Sequence, residues 1–168
     1  KAGARVDTVI PDRLKDGYGI NVHLIEQAKE AGRDTIVTCD NGIAAAKEIA
    51  YAKELGITVI VTDHHDIPYR EEPDGSRTTI LPPADVIVNP KQADCPYPYK
   101  KLCGAAVAWR LVEVLYQEAG VPREESLTLA QFAAVATIGD IMDLTGENRI
   151  LVKYGLRQLE QTDNPGYG

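Results

Sequence analysis

Along the first half of the chain, short runs of Val, Ile and Thr alternate with longer stretches whose apolar residues recur every three to four positions. "RVDTVI" (Arg5–Ile10), "DTIVTC" (Asp34–Cys39) and "ITVIVT" (Ile57–Thr62) read as strands. They are short, rich in β-branched residues and barely alternating, the pattern of parallel strands covered on both faces. Between them, "NVHLIEQAKEAG" (Asn21–Gly32) reads as a helix with Asn21 as its N-cap and Gly32 just past its end. "IAAAKEIAYAKELG" (Ile43–Gly56) reads as the next helix, stopped by Gly56. Strand–helix–strand–helix–strand predicts an α/β domain with right-handed crossovers.

A Pro-rich irregular section follows from Asp63 to about Leu102, interrupted by "ADVIVNP" (Ala84–Pro90), a predicted fourth strand ended by Pro90. A connection as long as Asp63–Pro83 inside a compact domain is usually functional or mobile. Beyond it, helices are predicted over Gly104–Ala119, Leu127–Ile138 and Arg149–Leu159. The expected architecture is therefore α/β: a parallel sheet flanked by helices over residues 1–90, then a mainly helical part over residues 91–168. The opening "KAG" reads as the tail of a helix with its terminal Gly, so one more strand and most of a helix are expected upstream.

Composition narrows the class. The 168 residues suit one ordinary globular domain, with the apolar (44%) and charged (26%) fractions of a soluble folded chain. No apolar run approaches the roughly 20 residues that span a bilayer. The net charge of −7 argues against a surface that holds polyanions nonspecifically. Carboxylates that load divalent cations would reverse that sign locally. Cys39, Cys95 and Cys103 are odd in number and lack CxxC spacing, which suits reduced thiols in a cytoplasmic protein.

In open α/β sheets, ligands bind beyond the carboxyl ends of the strands. "VTCDNG" puts Asp40 at one such end, and "VTDHHD" puts Asp63, His64, His65 and Asp66 at the next. Neighbouring strands lie about 4.8 Å apart, so groups from both turns can converge on one ion. Each turn also has a plainer reading: Asp40 as a helix cap, the second turn as a solvated loop. Having both on one edge of one sheet makes coincidence less attractive. In "TIGDIMDL", Asp140 directly follows an apolar run and is expected to point into protein or a cleft. There a metal or a cation would offset the cost of burying it. Asp143 reads as a surface residue. Carboxylates with imidazole suit Mn²⁺ or Mg²⁺ better than structural zinc. Two such ions about 3.5–4 Å apart, bridged by a carboxylate, are a standard device for phosphodiester and phosphoanhydride hydrolysis.

Five blocks, in order, resemble the DHH phosphoesterase superfamily, named after the triplet found here at Asp63–His65. They are "IPDRLKDGYGI" (Ile10–Ile20), "VTCDNGIA" (Val37–Ala44), "VTDHHDIP" (Val61–Pro68), "VNPKQADCPYPYKKLCG" (Val88–Gly104) and "GENRILVKYGL" (Gly146–Leu156). Within the superfamily they are most similar to the bacterial exonucleases specific for single-stranded DNA. The resemblance implies that Asp40 bridges two metal ions and that His64 and Asp140 are metal ligands. It implies that His65 contacts the scissile phosphate or supports the metal centre, and that Asp63 orients the histidines from behind them. Arg13 matches a residue that holds DNA phosphate, a task suited to a guanidinium fork.

The implied activity is Mn²⁺- or Mg²⁺-dependent 5′-to-3′ digestion of single-stranded DNA to mononucleotides, in recombination and repair, in the bacterial cytoplasm. Single-stranded DNA is then the substrate, single-strand-binding protein and other repair proteins are the expected partners, and no membrane is involved. The family's first motif, Asp-x-Asp, is absent and is expected upstream of Lys1. A second core domain and a nucleic-acid-binding fold are expected beyond Gly168. The 168 residues alone are accordingly expected not to hydrolyse DNA. Two other readings stay open. One is a superfamily phosphoesterase for oligoribonucleotides, 3′-phosphoadenosine 5′-phosphate, cyclic dinucleotides or pyrophosphate. The other is a non-catalytic scaffold.

Overall fold

The computed structural model describes residues 3–11 and 17–162. The chain divides into two compact units, Asp7–Cys95 and Pro96–Gly168 with Lys1–Val6.

The first unit is α/β. Its elements are α1 (Val22–Glu30), β1 (Thr35–Cys39), α2 (Ala46–Glu54), β2 (Thr58–Thr62), β3 (Tyr69–Glu71), β4 (Arg77–Thr79) and β5 (Val86–Val88). β1, β2 and β5 form one parallel sheet with β2 in the middle. The register runs from Thr35 opposite Thr58 to Cys39 opposite Thr62, and Thr62 also faces Val88. All three strands therefore end at one level. Asn21 caps α1 as its sequence suggested: its Oδ1 accepts the Leu24 N–H at 3.0 Å. The core joins Ile25 of α1, Ile49 and Ala52 of α2, Ile57, and Val59 and Val61 of β2. Ile49 and Ala52 share a helix face, and Val59 and Val61 share a strand face. Each buried aliphatic of this size contributes about 1.5–3 kcal/mol. β1 departs from the expectation of cover on both faces, since Val37 is exposed.

Two further readings change. Arg5–Ile10 forms no strand; Val6, Val9 and Ile10 are exposed, and no described strand pairs with them. β-branched composition alone does not make a strand without a ladder partner. The section after Asp63 is not all irregular, because β3 and β4 pair as an antiparallel hairpin. Its turn is built by Asp74, whose Oδ1 accepts from the Ser76 N–H at 2.9 Å and the Ser76 hydroxyl at 2.6 Å. "PDGS" carried that signal, a Pro-Asp-Gly turn between short strands. The Arg77 guanidinium lies 4.3 Å from the Tyr69 ring centre and closes the hairpin.

The second unit is helical: α3 (Gly104–Glu118), α4 (Arg123–Leu127), α5 (Ala130–Gly139) and α6 (Gly146–Leu159). The helix expected over Leu127–Ile138 is α5, which starts three residues later at Ala130, and the short α4 before it was not expected. α5 packs on α3 and α6 through Ala130, Ala133, Ala134 and Thr137, a stripe at helical spacing. Opposite it, a Cβ on Gly155 would come within 2.9 Å of the Ala130 carbonyl and collide with the Ala134 methyl. Asn148, fully buried, donates to the carbonyls of Lys101 (2.7 Å) and Asp143 (3.1 Å) and so ties down the turn between α5 and α6. Glu147, in the first turn of α6, accepts the Tyr97 hydroxyl at 2.8 Å and an ion pair from Arg110. No helix among the described residues is long and apolar enough to cross a membrane.

Candidate metal centre

β1 and β2 are in register, so the residues that follow them, Asp40 and Asp63, leave the sheet side by side. Each continues the ladder by one backbone bond. The Asp40 N–H donates to the Thr62 carbonyl and the Asp63 N–H to the Val88 carbonyl, both at 3.0 Å. From there they diverge in role.

Asp63 turns inward. It is 1% exposed, and its carboxylate organises the turn. Oδ2 accepts the Ile43 N–H at 3.0 Å. Oδ1 accepts the N–H groups of His64 (2.7 Å) and His65 (3.2 Å) and meets the His65 Nδ1 at 2.6 Å. Burial pushes this carboxyl up, but these bonds outweigh it and hold it below the usual carboxylate range. An ionised carboxylate only accepts, so the His65 Nδ1 carries the proton. In this tautomer the lone pair is on Nε2, on the side away from Asp63. Asn89, itself buried, donates to the His65 carbonyl at 3.0 Å and fixes the turn from β5.

Asp40 turns outward. Its backbone lies in the left-handed region, φ 64°, uncommon for a residue with a Cβ but tolerated best by Asn and Asp. Several bonds hold it there. The Tyr18 hydroxyl donates to its carbonyl at 2.9 Å. Thr38 Oγ1 donates to the Asn41 carbonyl at 2.7 Å, and Asn41 Nδ2 donates to the Cys39 carbonyl at 2.9 Å. Gly42, φ 109°, completes the turn: a Cβ there would sit 2.9 Å from Thr38 Oγ1 and 3.2 Å from Val61.

This backbone brings Asp40 Oδ1 to 3.0 Å from His64 Nε2. The imidazole is buried, its side chain 8% exposed, whereas the carboxylate is 47% exposed. A half-open carboxylate thus roofs a buried ring. The His65 ring lies 4.6 Å from the His64 ring. Ligand atoms of Asp40, His64 and His65 all fall within 4.8 Å of one another.

The donor set fits a hard divalent ion. It offers carboxylate oxygen and imidazole nitrogen, with no thiolate cluster. Two ligands at right angles on an ion with bonds of about 2.1 Å stand ~3.0 Å apart, as Asp40 Oδ1 and His64 Nε2 do. Beside the group, Ile10, Pro11, Gly17, Tyr18, Gly19, Cys39, Asp40 and Asn41 line a cavity of about 160 Å³.

The structure thus brings together Asp40, His64 and His65, with Asp63 behind both histidines. Arg13 lies outside the described residues. Asp140 belongs to the helical unit, where it caps the C-terminus of α5. It is exposed there, not buried as the preceding apolar run suggested. The reason is a Schellman turn that ends the helix: Met142 N–H donates to Thr137 and Ile141 N–H to Ile138, both at 3.1 Å. Ile141 fills the left-handed position usually given to glycine, φ 54°. Asp143 pairs with Lys101 at 2.5 Å, which suits the surface role expected of it. Asp66 pairs with Lys91 at 2.8 Å. Sequence reasoning did not single out Tyr18 or Asn89, though both lie in the blocks quoted above.

Residues 1–139 match the family described as DHH family, N-terminal domain, and the chain belongs to that family. Over 166 residues, 99% of this chain, it is 43% identical to the single-stranded-DNA-specific exonuclease RecJ of Bacillus subtilis. It is similar to a crystal structure of exonuclease RecJ bound to manganese: TM-score 0.80, 36% identity, 98% of this chain and 39% of that one. It is also similar to RecJ of Thermus thermophilus in complex with Mn²⁺: TM-score 0.70, 34% identity, 88% of this chain and 20% of that one. The chain spans 19% of the length of the Bacillus subtilis relative.

Proposed function

We propose that this chain is the DHH region of a metal-dependent exonuclease that digests single-stranded DNA from its 5′ end, in bacterial recombination and repair. Residues 1–168 are read as part of one DHH domain, an α/β part followed by a helical part. The observation that carries the proposal is the Asp40–His64 pair, an oxygen and a nitrogen 3.0 Å apart at adjacent strand ends. Kinship with manganese-bound RecJ structures supports Mn²⁺ or Mg²⁺ as the ion.

Asp40, His64 and Asp140 are proposed as metal ligands, with Asp40 shared between two ions. Bound there, such ions would generate hydroxide near neutral pH and offset charge on the phosphate oxygens. Asp63 holds the His65 ring and its tautomer, as carboxylates behind metal-site histidines do. The His65 Nε2 then meets the scissile phosphate or the metal centre. Arg13 is proposed to hold DNA phosphate. Loading cations also answers the charge problem, since a chain of net charge −7 repels DNA until its carboxylates are neutralised. The bacterial cytoplasm is the proposed compartment, and single-strand-binding protein and other repair proteins are the proposed partners.

The test offers the whole protein, with Mn²⁺, four substrates in parallel: 5′-labelled single-stranded DNA, oligoribonucleotides, 3′-phosphoadenosine 5′-phosphate and cyclic dinucleotides. Mononucleotide release from the DNA should be fastest. Preference for one of the other three would overturn the substrate assignment and leave the metal chemistry standing.

A further inference from the structure

Tyr18 reaches the site from outside the sheet. It sits between Gly17 and Gly19 in the segment that leads into α1, and most of its side chain is exposed. Yet its hydroxyl donates to the Asp40 carbonyl at 2.9 Å, and its ring stands edge-on to the His65 ring at 6.1 Å and 82°. A Cβ added to Gly19 next to it would meet the Asn41 side chain at 3.4 Å. One residue thus touches both groups that flank the buried His64.

The contact falls on a constrained stretch of backbone, the left-handed Asp40. A residue held in a sparsely populated region costs about 1–3 kcal/mol and persists only when its surroundings over-determine it. At Asp40 the N–H is fixed by Thr62 on β2, and the following carbonyl is fixed by Thr38 on β1. The Asp40 carbonyl itself is fixed by Tyr18. If that hydroxyl is removed, one of the bonds that hold Asp40 at φ 64° is gone, and relaxation of φ turns the Cβ and its carboxylate. Such rotation moves Oδ1 away from the 3.0 Å approach to His64 Nε2.

We infer that Tyr18 is a positioning residue for the metal centre: its hydroxyl locks the left-handed Asp40 backbone and so sets the separation of Asp40 and His64. This inference rests on the proposed metal-dependent activity. Outer partners of metal ligands are worth about 10–100-fold in metal affinity or activity when removed.

Tyr18→Phe deletes the hydroxyl and keeps the ring. In the whole protein, isothermal titration calorimetry should show Mn²⁺ binding weakened about tenfold. kcat on single-stranded DNA should fall by a similar factor, with KM for DNA and the thermal midpoint unchanged. Wild-type Mn²⁺ affinity and kcat in the variant would overturn the inference. So would a lower thermal midpoint with unchanged Mn²⁺ affinity, which marks a purely structural bond. A wild-type-like Tyr18→Phe beside a Tyr18→Ala with raised KM would also overturn it, because the ring would then be touching DNA. In each of these cases wild-type digestion leaves the proposed function intact. If the wild type neither binds Mn²⁺ nor releases nucleotides, the proposed function fails and this inference fails with it.

Discussion

Two aspartates at neighbouring strand ends, Asp40 and Asp63, leave the sheet at the same level and do opposite work. Asp63 is buried and accepts four hydrogen bonds; Asp40 is half exposed and is held in an unusual backbone conformation. The difference makes Asp63 a stability residue with a pH signature. Its folded carboxyl titrates below its ordinary value, so its contribution is fully present above the unfolded value of about 3.9. That contribution is lost as pH falls through the lower folded value. Asp63→Asn keeps the shape but loses the charge, and its NH₂ now faces N–H donors. Urea unfolding at neutral pH should show a loss of about 2–3 kcal/mol. The gap between wild type and variant should shrink as pH drops below the carboxylate range. A gap that is constant with pH would mean that the charge of Asp63 does not act through folding.

At the scale of elements, the site is a consequence of parallel pairing. β1 and β2 run the same way and in register, so their following turns open together. That much follows from sequence, because Val-, Ile- and Thr-rich runs joined by amphipathic helices leave few topologies. Asp40, His64 and His65 could be named for the same reason, as polar residues directly after those runs. Other features were out of reach. The left-handed Asp40 turn is bonded by Tyr18, more than twenty residues away, and by Thr38. Asn89 supports the histidines from β5. No local pattern encodes such long-range bonds. Arg5–Ile10 misled because composition does not reveal whether a pairing edge exists. α4 was missed because its five residues, REESL, are too few to show a helical apolar spacing. The α5–α6 contact in the helical unit has its own test. Gly155→Ala puts a methyl against Ala134 and the Ala130 carbonyl, backbone that cannot move aside. The expected cost is about 1–3 kcal/mol in urea unfolding. An unchanged midpoint would show that the helices separate freely.

For the molecule as a whole, charge and kinship pull in different directions, and the proposed metal is what would reconcile them. A chain of net charge −7 does not gather DNA by its own field, whereas relatives of the same DHH family are single-stranded-DNA-specific exonucleases. Asp40 and His64, 3.0 Å apart at adjacent strand ends, are the pair proposed to hold the cation that reverses that sign. The most direct test of the account is Asp40→Ala in the whole protein, assayed with Mn²⁺ on 5′-labelled single-stranded DNA. Circular dichroism should show a folded variant, and mononucleotide release should fall to background. Digestion by the folded variant at the wild-type rate would contradict the assignment of Asp40 to a metal centre.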